Sequence, residues 1–334
     1  MLPRAHRRLG VVVKALAVGL AATAFVGVLY EQVARRQDRK RFPQVGQSVD
    51  IGGRSLNIYC SGDGSPTVIL ESGKGSPGYS WVFVQREIAQ FTRACWYDRA
   101  GYGWSDSGPY PRNSVDTARD LHELLRRATI QPPYVLVGHS LGGFHVRVYN
   151  GLYPGDLAGM VLVDSSHEDE GSQIPRRRGR SHPAYLRHPL SLLAETVNEL
   201  GLLRILARHR GSDLHPVGIT PGEWSVISGL ASEPRMMAAT AKECQGECGE
   251  QARSAGGLGD RPLIVLTAGK QTARSPEDEE DRESWIRLQS QLVQLSTRGR
   301  QVVVRNSGHM IPYEAPEEIV GAVREVITQV RNTR

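Results

Sequence analysis

The chain has 334 residues, which is too long for a minimal domain and suits one large α/β domain with room for an inserted subdomain. With 40% hydrophobic and 23% charged residues its composition is ordinary for a globular protein. The net charge of +6 is concentrated: residues 1–41 hold nine Lys/Arg against Glu31 and Asp38, a net of +7, and the remainder is −1. The basic balance therefore gives no argument for nucleic-acid binding by the body of the protein.

Leu9 to Tyr30 is apolar except for Lys14 and Thr23, and is long enough to cross a bilayer. A retained single-pass anchor is the favoured reading, because the apolar run continues past the A-x-A-like Ala22-Thr23-Ala24, where a signal peptide would be cut. A buried core helix is disfavoured. Five Lys/Arg on the C-terminal flank against three on the N-terminal flank lean towards a cytoplasmic body, and a signal-like N-terminus leans the other way. The side of the membrane stays open.

After a short linker (Phe42 to Val45), strands are expected over Val45–Ile51 and Ser55–Cys60, joined as a hairpin through Gly52-Gly53. Thr67–Leu70 is the next strand and runs into the glycine-rich Ser72-Gly73-Lys74-Gly75-Ser76. A helix over Trp81–Phe91, a strand over Ala94–Tyr97 and a helix over Asp116–Ala128 follow. Tyr134–Val137 is a buried strand, and Gly138-His139-Ser140-Leu141-Gly142 leads from it into a helical run. Gly159–Val163 is a strand ending at Asp164.

From about Ser165 to Asp260 the alternation stops, and apolar runs at Leu190–Val197, Leu200–Ala207 and Trp224–Leu230 have helical spacing, as in a helical cap. The basic run Arg176-Arg177-Arg178-Gly179-Arg180 reads as a solvated loop. Alternation returns with Leu263–Thr267, a helix from about Asp281 to Ser296, the strand Gln301–Arg305 and a last helix from Pro316 to Val330. The expected organisation is an anchor and linker over 1–43 (transmembrane about 9–30), a first core part over 44–164, a cap over 165–260 and a second core part over 261–334. Strands alternating with helices imply a mostly parallel sheet covered on both faces.

The G-x-S-x-G of Gly138–Gly142 sits where a strand ends and a helix begins, the context that a strained nucleophile turn requires. Small residues two before and two after Ser140 let strand and helix pass closely, and the Leu141 N–H faces an acyl oxygen from a helix N-terminus. A serine hydroxyl needs a base, and the base needs a carboxylate. His309, just after the last strand and preceded by Gly308, is the expected base. His139 should point away from the nucleophile, and His145 and His167 are weaker candidates. Asp164 is the favoured acid; the alternative is the Asp278/Asp281 zone, whose carboxylates (Glu277 to Asp281) also read as the acidic first turn of a helix. The Lys74 amide is expected to supply the second oxyanion donor.

These motifs resemble the serine-hydrolase branch of the α/β-hydrolase superfamily, esterase- or lipase-like. The resemblance covers about Val45 to Val330 apart from the cap. It rests on Ser72–Gly75, on Asp98-Arg99-Ala100-Gly101-Tyr102-Gly103-Trp104-Ser105, on Gly138–Gly143 and on Ser307-Gly308-His309. It implies an α/β-hydrolase fold, an eight-stranded, mostly parallel sheet flanked by helices with an inserted helical cap. Two departures stand out. The oxyanion loop begins Ser72-Gly73 where relatives usually have His-Gly, and the loop after the seventh strand lacks an early acid. Some relatives place the acid after the sixth strand, in keeping with Asp164. Epoxide hydrolases and haloalkane dehalogenases of the superfamily use an aspartate where this chain has Ser140, which points to ester or related acyl chemistry.

The expected function is a serine hydrolase cleaving a small hydrophobic ester, with Ser140, Asp164 and His309 as its triad and the Leu141 and Lys74 amides as its oxyanion hole. The alternatives are a C–C bond or amide hydrolase on the same triad and a non-catalytic receptor or scaffold. No cofactor is implied and no His/Cys/Asp set has metal spacing. Membrane lipid, through the N-terminal segment, is the other expected partner. Of the four cysteines, Cys60 and Cys95 fall on strands that are usually neighbours in this fold, so a disulfide is one reading and two buried free thiols the slightly favoured one. Cys244 and Cys248 are read as i, i+4 on a cap helix, a poor geometry for a disulfide.

Overall fold

The computed structural model describes residues 3–174, 216–270 and 275–332. The strands are β1 Gln47–Asp50, β2 Ser55–Ser61, β3 Thr67–Glu71, β4 Ala94–Tyr97, β5 Tyr134–His139, β6 Leu157–Val163, β7 Leu263–Ala268 and β8 Gly299–Val304. They form one sheet of eight strands in the order β1-β2-β4-β3-β5-β6-β7-β8. β1 and β4 flank β2 antiparallel, and every pair from β4 onwards is parallel.

The central strands read as unbroken apolar runs because both faces are covered, and the period of two divides their side chains between two cores. Ile69, Leu136, Leu162 and Val265 face one core; Val68, Val135, Val137, Val161, Val163 and Ile264 face the other. On the first face lie α3 (Ser114–Arg127) and α4 (Gly142–Leu152). On the second lie α2 (Val82–Ile88) and the C-terminal helix α11 (Pro316–Arg331). The stripe Ile319, Ala322, Val323, Val326, Ile327 and Val330 of α11 has the i, i+3, i+4 spacing of an amphipathic helix. An Asn113–Asp116 capping box starts α3 two residues before the sequence suggests, satisfying end groups that an apolar pattern does not register. The segment expected to be helical from Trp81 begins instead as a 3-10 turn, Gly78–Trp81.

Between β6 and β7 the described residues hold helices and no strand: α5 Glu170–Gln173, α6 Pro221–Ala231, α7 Pro234–Lys242 and α8 Cys248–Ser254. The apolar run Trp224–Leu230 falls on α6. The runs Leu190–Val197 and Leu200–Ala207 and the basic Arg176–Arg180 lie outside the described residues. The last part of the insert joins the core: Cys248, Ala252 and Leu258 are buried in the first core cluster. After β7 come α9 (Pro276–Leu292), capped by Ser275 with Pro276 in its first turn, and after β8 the short α10 (Ile311–Glu314).

Both cysteine pairs are disulfides: for Cys60 and Cys95 the less favoured of the two readings holds, and Cys244 and Cys248 are bridged although i, i+4 spacing on a helix would be poor for it. Cys60 and Cys95 are register partners on the antiparallel pair β2–β4, with Cα atoms 4.1 Å apart. Cys244 is not on a helix. It takes a left-handed turn (φ 51°) before α8, which brings its Cα to 5.5 Å from that of Cys248, within reach of a bridge.

The N-terminal helix α1 (Pro3–Arg41, 39 residues) belongs to a unit distinct from the compact body that carries the sheet. Its window Ala17–Ala34 is long and apolar enough to cross a membrane, and Val18, Phe25 and Val26 on it are exposed.

Candidate active site

The turn between β5 and α4 places Ser140 at φ 52°, a conformation costly for a non-glycine residue and held only by its surroundings. Its N–H donates to Val163 O (3.1 Å), and its carbonyl accepts from Gly143 N (3.0 Å) and Ser166 N (2.9 Å). Strand and helix pass so closely that a Cβ on Gly138 would lie 2.8 Å from Gly142 O, and one on Gly142 would lie 2.7 Å from the carbonyls of Glu71 and Ser72. Both glycines are thus sterically required, as the motif suggests. The loop after β3 closes on the same point: a Cβ on Gly73 would lie 3.2 Å from Ser140 Cβ.

Because β5, β6, β7 and β8 run parallel, their carboxyl ends open on one edge of the sheet. The loop after β8 brings His309 there. Its Nε2 accepts from Ser140 Oγ at 3.0 Å, and its Nδ1–H donates to Asp164 Oδ2 at 2.6 Å. Asp164, the residue after β6, takes a left-handed conformation (φ 40°) and is 2% exposed. Its other oxygen accepts from Ala268 N (2.8 Å) and Trp285 Nε1 (2.7 Å). Three sequence-distant segments therefore meet on one carboxylate. The alternative acids lie elsewhere: Glu277 and Asp278 are in the first turn of α9, where Asp278 shares a hydrogen-bonded cap with Ser275. Leu141 precedes α4, and Lys74 follows Gly73 in the loop beside Ser140.

His139 is buried, and its Nε2–H donates not to the Ser140 hydroxyl but to the His309 carbonyl at 2.9 Å. Burial, reinforced by the neighbouring His309, lowers its pKa to about 4, so it is neutral at ordinary pH. His145 is buried against Ser114 Oγ (2.9 Å), and His167 accepts from Asp169 N (3.1 Å). Neither meets Ser140 in a hydrogen bond.

Sequence reasoning did not find the polar cluster under the β3 loop. Arg99 is 4% exposed and lies between Glu71 (Nη1–Oε1 2.6 Å) and Glu243 (Nε–Oε1 2.7 Å), with the Tyr97 hydroxyl on Glu71 and the Tyr102 hydroxyl on Glu243 (2.7 Å). Burial alone would raise the Glu243 carboxyl, but Arg99 and His145 outweigh it and hold the group well below the usual range. The available signal was a charged residue, Arg99, inside the segment Asp98–Ser105 that follows a fully buried strand. Among the described residues no group of three or more His, Cys, Asp or Glu is placed to hold a metal ion.

A mostly parallel sheet with a serine at a strained strand–helix turn, facing a histidine from the last strand's loop, defines a class of hydrolases. The family model described as "Alpha/beta hydrolase family" matches residues 68–322, and the chain belongs to that family. It is a hydrolase of the α/β-hydrolase fold. Among solved structures, a thermophilic esterase from Thermogutta terrifontis is similar at 20% identity and TM-score 0.60, covering 86% of this chain and 99% of that one. The epoxide hydrolase CorEH is similar at 17% identity and TM-score 0.58, covering 86% and 99%. Among curated proteins, "Uncharacterized protein YqjL" of Bacillus subtilis (strain 168) is 24% identical over 267 residues, 79% of this chain and 85% of that protein. The chain spans only 20% of the length of "Probable transporter efuK" from Hormonema carpetanum, matched at 35% identity over 137 residues.

Proposed function

We propose that the protein is a membrane-anchored serine esterase, cleaving a small hydrophobic ester through an acyl-enzyme intermediate. The observation that carries this reading is the continuous chain from Ser140 Oγ to His309 Nε2 (3.0 Å) and from His309 Nδ1 to Asp164 Oδ2 (2.6 Å). In the reaction His309 takes the Ser140 proton as Oγ attacks the ester carbonyl. Asp164 keeps the Nδ1–H tautomer in place and stabilises the imidazolium as it forms. The amides of Leu141 and Lys74 stabilise the oxyanion. His309 then protonates the leaving alcohol, and a water deprotonated by His309 releases the acid. A serine where epoxide hydrolases of the superfamily use an aspartate favours acyl chemistry over epoxide opening. The apolar helix α1 supports anchoring to a membrane, where hydrophobic esters concentrate.

The test is labelling of the folded protein with a fluorescent fluorophosphonate, followed by turnover of esters of graded chain length. Labelling is expected in the wild type, absent in Ser140→Ala and reduced on the order of 10⁴-fold or more in His309→Ala. A folded wild type that neither labels nor turns over any ester would instead favour a ligand receptor or scaffold.

A further inference from the structure

Arg99 does more than balance two buried carboxylates. Its Nη1 donates to Ser72 O at 2.7 Å and its Nη2 to Gly73 O at 3.1 Å, so one guanidinium grips two successive carbonyls of the loop beside Ser140. The Gly73 carbonyl and the Lys74 N–H belong to one planar, trans peptide unit and point in opposite directions. Fixing Gly73 O on Arg99 therefore aims the Lys74 N–H away from Arg99 and prevents that peptide from flipping.

The insert holds the guanidinium from the other side. Glu243, just after α7, takes Nε at 2.7 Å and Nη2 at 3.1 Å in a two-pronged pair, while the Lys74 ammonium donates to the Glu243 carbonyl at 2.8 Å. Glu243 is itself fixed: its neighbour Cys244 donates N–H to Arg112 O (2.9 Å) and is bridged to Cys248. The bidentate geometry matters because a lysine could not serve both partners; only the planar fork of arginine reaches a carboxylate along one edge and carbonyls along another.

We propose that Arg99 and Glu243 are positioning residues for the oxyanion loop, with Glu243 making the activity of Ser140 depend on the inserted region. The inference rests on the esterase reading, whose failure is seen separately: a wild type inert to fluorophosphonate ends that reading before any variant is compared. Neither side chain touches the reacting atoms. Their effect is carried by the orientation of the Gly73–Lys74 peptide, which matters when the carbonyl oxygen of the substrate becomes an anion.

The experiment uses the full chain and compares wild type, Arg99→Lys and Glu243→Gln, each first checked for unchanged circular dichroism and a cooperative melt. A cleavable ester gives kcat and KM, and a trifluoromethyl ketone, which adds to Ser140 as a tetrahedral adduct, gives affinity for the oxyanion state. Arg99→Lys is expected to lower kcat by about 10²-fold, the lower end of what losing one oxyanion donor costs, with KM close to wild type. The ketone should weaken in parallel. Glu243→Gln, which keeps the shape and removes the charge, should move both quantities in the same direction by about tenfold, a loss of about 1.4 kcal/mol. If folded Arg99→Lys and Glu243→Gln retain wild-type kcat and ketone affinity, the proposal fails. It fails equally if KM rises while kcat and ketone affinity hold. If Arg99→Lys does not fold, Glu243→Gln decides the matter by the same two quantities.

Discussion

His139, next to Ser140 in the chain, bonds not to the Ser140 hydroxyl but to the backbone of His309. It occupies the variable position of the G-x-S-x-G turn, and its ring lies 4.9 Å from that of His309, whose carbonyl it holds. Its pKa is lowered from 6.5 to about 4, chiefly by burial. Above pH 6.5 it is neutral whether the chain is folded or not, and folding is indifferent to pH through this group. As pH falls from about 6.5 to about 4, the unfolded chain takes up the proton and the folded one does not, so stability is lost. The loss amounts to roughly 3 kcal/mol by pH 4. Urea unfolding of His139→Gln, which keeps a donor for His309 O, should show a shallower fall in stability between pH 6.5 and 4 than the wild type. Equal slopes would mean that His139 is not the buried neutral base described here.

At the level of elements, the parallel strands do the assembling. Each of β5, β6 and β8 ends on the same sheet edge, so Ser140, Asp164 and His309 need only short loops to meet. The opposite end of the sheet is held differently. β2 runs antiparallel to β4 near the edge and is bridged to it by Cys60–Cys95, closing a loop over a sequence separation of 35. A crosslink of that span stabilises by about 3–4 kcal/mol through the entropy it removes from the unfolded chain. The double substitution Cys60→Ser/Cys95→Ser should lower the unfolding free energy by about that amount while leaving the Ser140–His309 edge intact. Equilibrium denaturation and fluorophosphonate labelling of the two proteins measure both halves of the statement. The elements also show where local pattern was sufficient. The apolar stripe of α11 and the unbroken apolar runs of β3 and β5 specify their own geometry, whereas α8 carries too few apolar residues to announce that it packs into the core.

For the whole molecule, charge and disulfides bear on orientation. The basic residues cluster at the two ends of the apolar segment, and the rest of the chain is near neutral. Counting flanking charges alone leans towards a cytoplasmic body. Two disulfides lean the other way, because bridged cysteines persist in oxidising compartments. If α1 anchors the protein, the two disulfides predict an extracytoplasmic body. Intact cells expressing the full chain should lose the body to added protease, and non-reducing mass mapping should find no free thiol. A protected body with alkylatable cysteines would reverse the orientation.

Local chemistry in the sequence determined the alternation of strands and helices and the turn at Ser140, and it singled out His309, which the structure places within a hydrogen bond of Ser140. Each follows from spacing over a few residues: period two, period 3.6, and glycines where strand and helix must pass closely. The sequence also favoured Asp164, though as one of two zones. Only the tertiary structure decided the rest. His309 meets Asp164 across 145 residues, Trp285 meets it across 121, and Arg99 meets Glu243 across 144. A single chain carries no local signature of such pairs, because what unites them is the packing of strand ends and the insert. The cysteine pairs went the same way. Register opposed Cys60 to Cys95, and a left-handed turn that no helical spacing reveals brought Cys244 to Cys248.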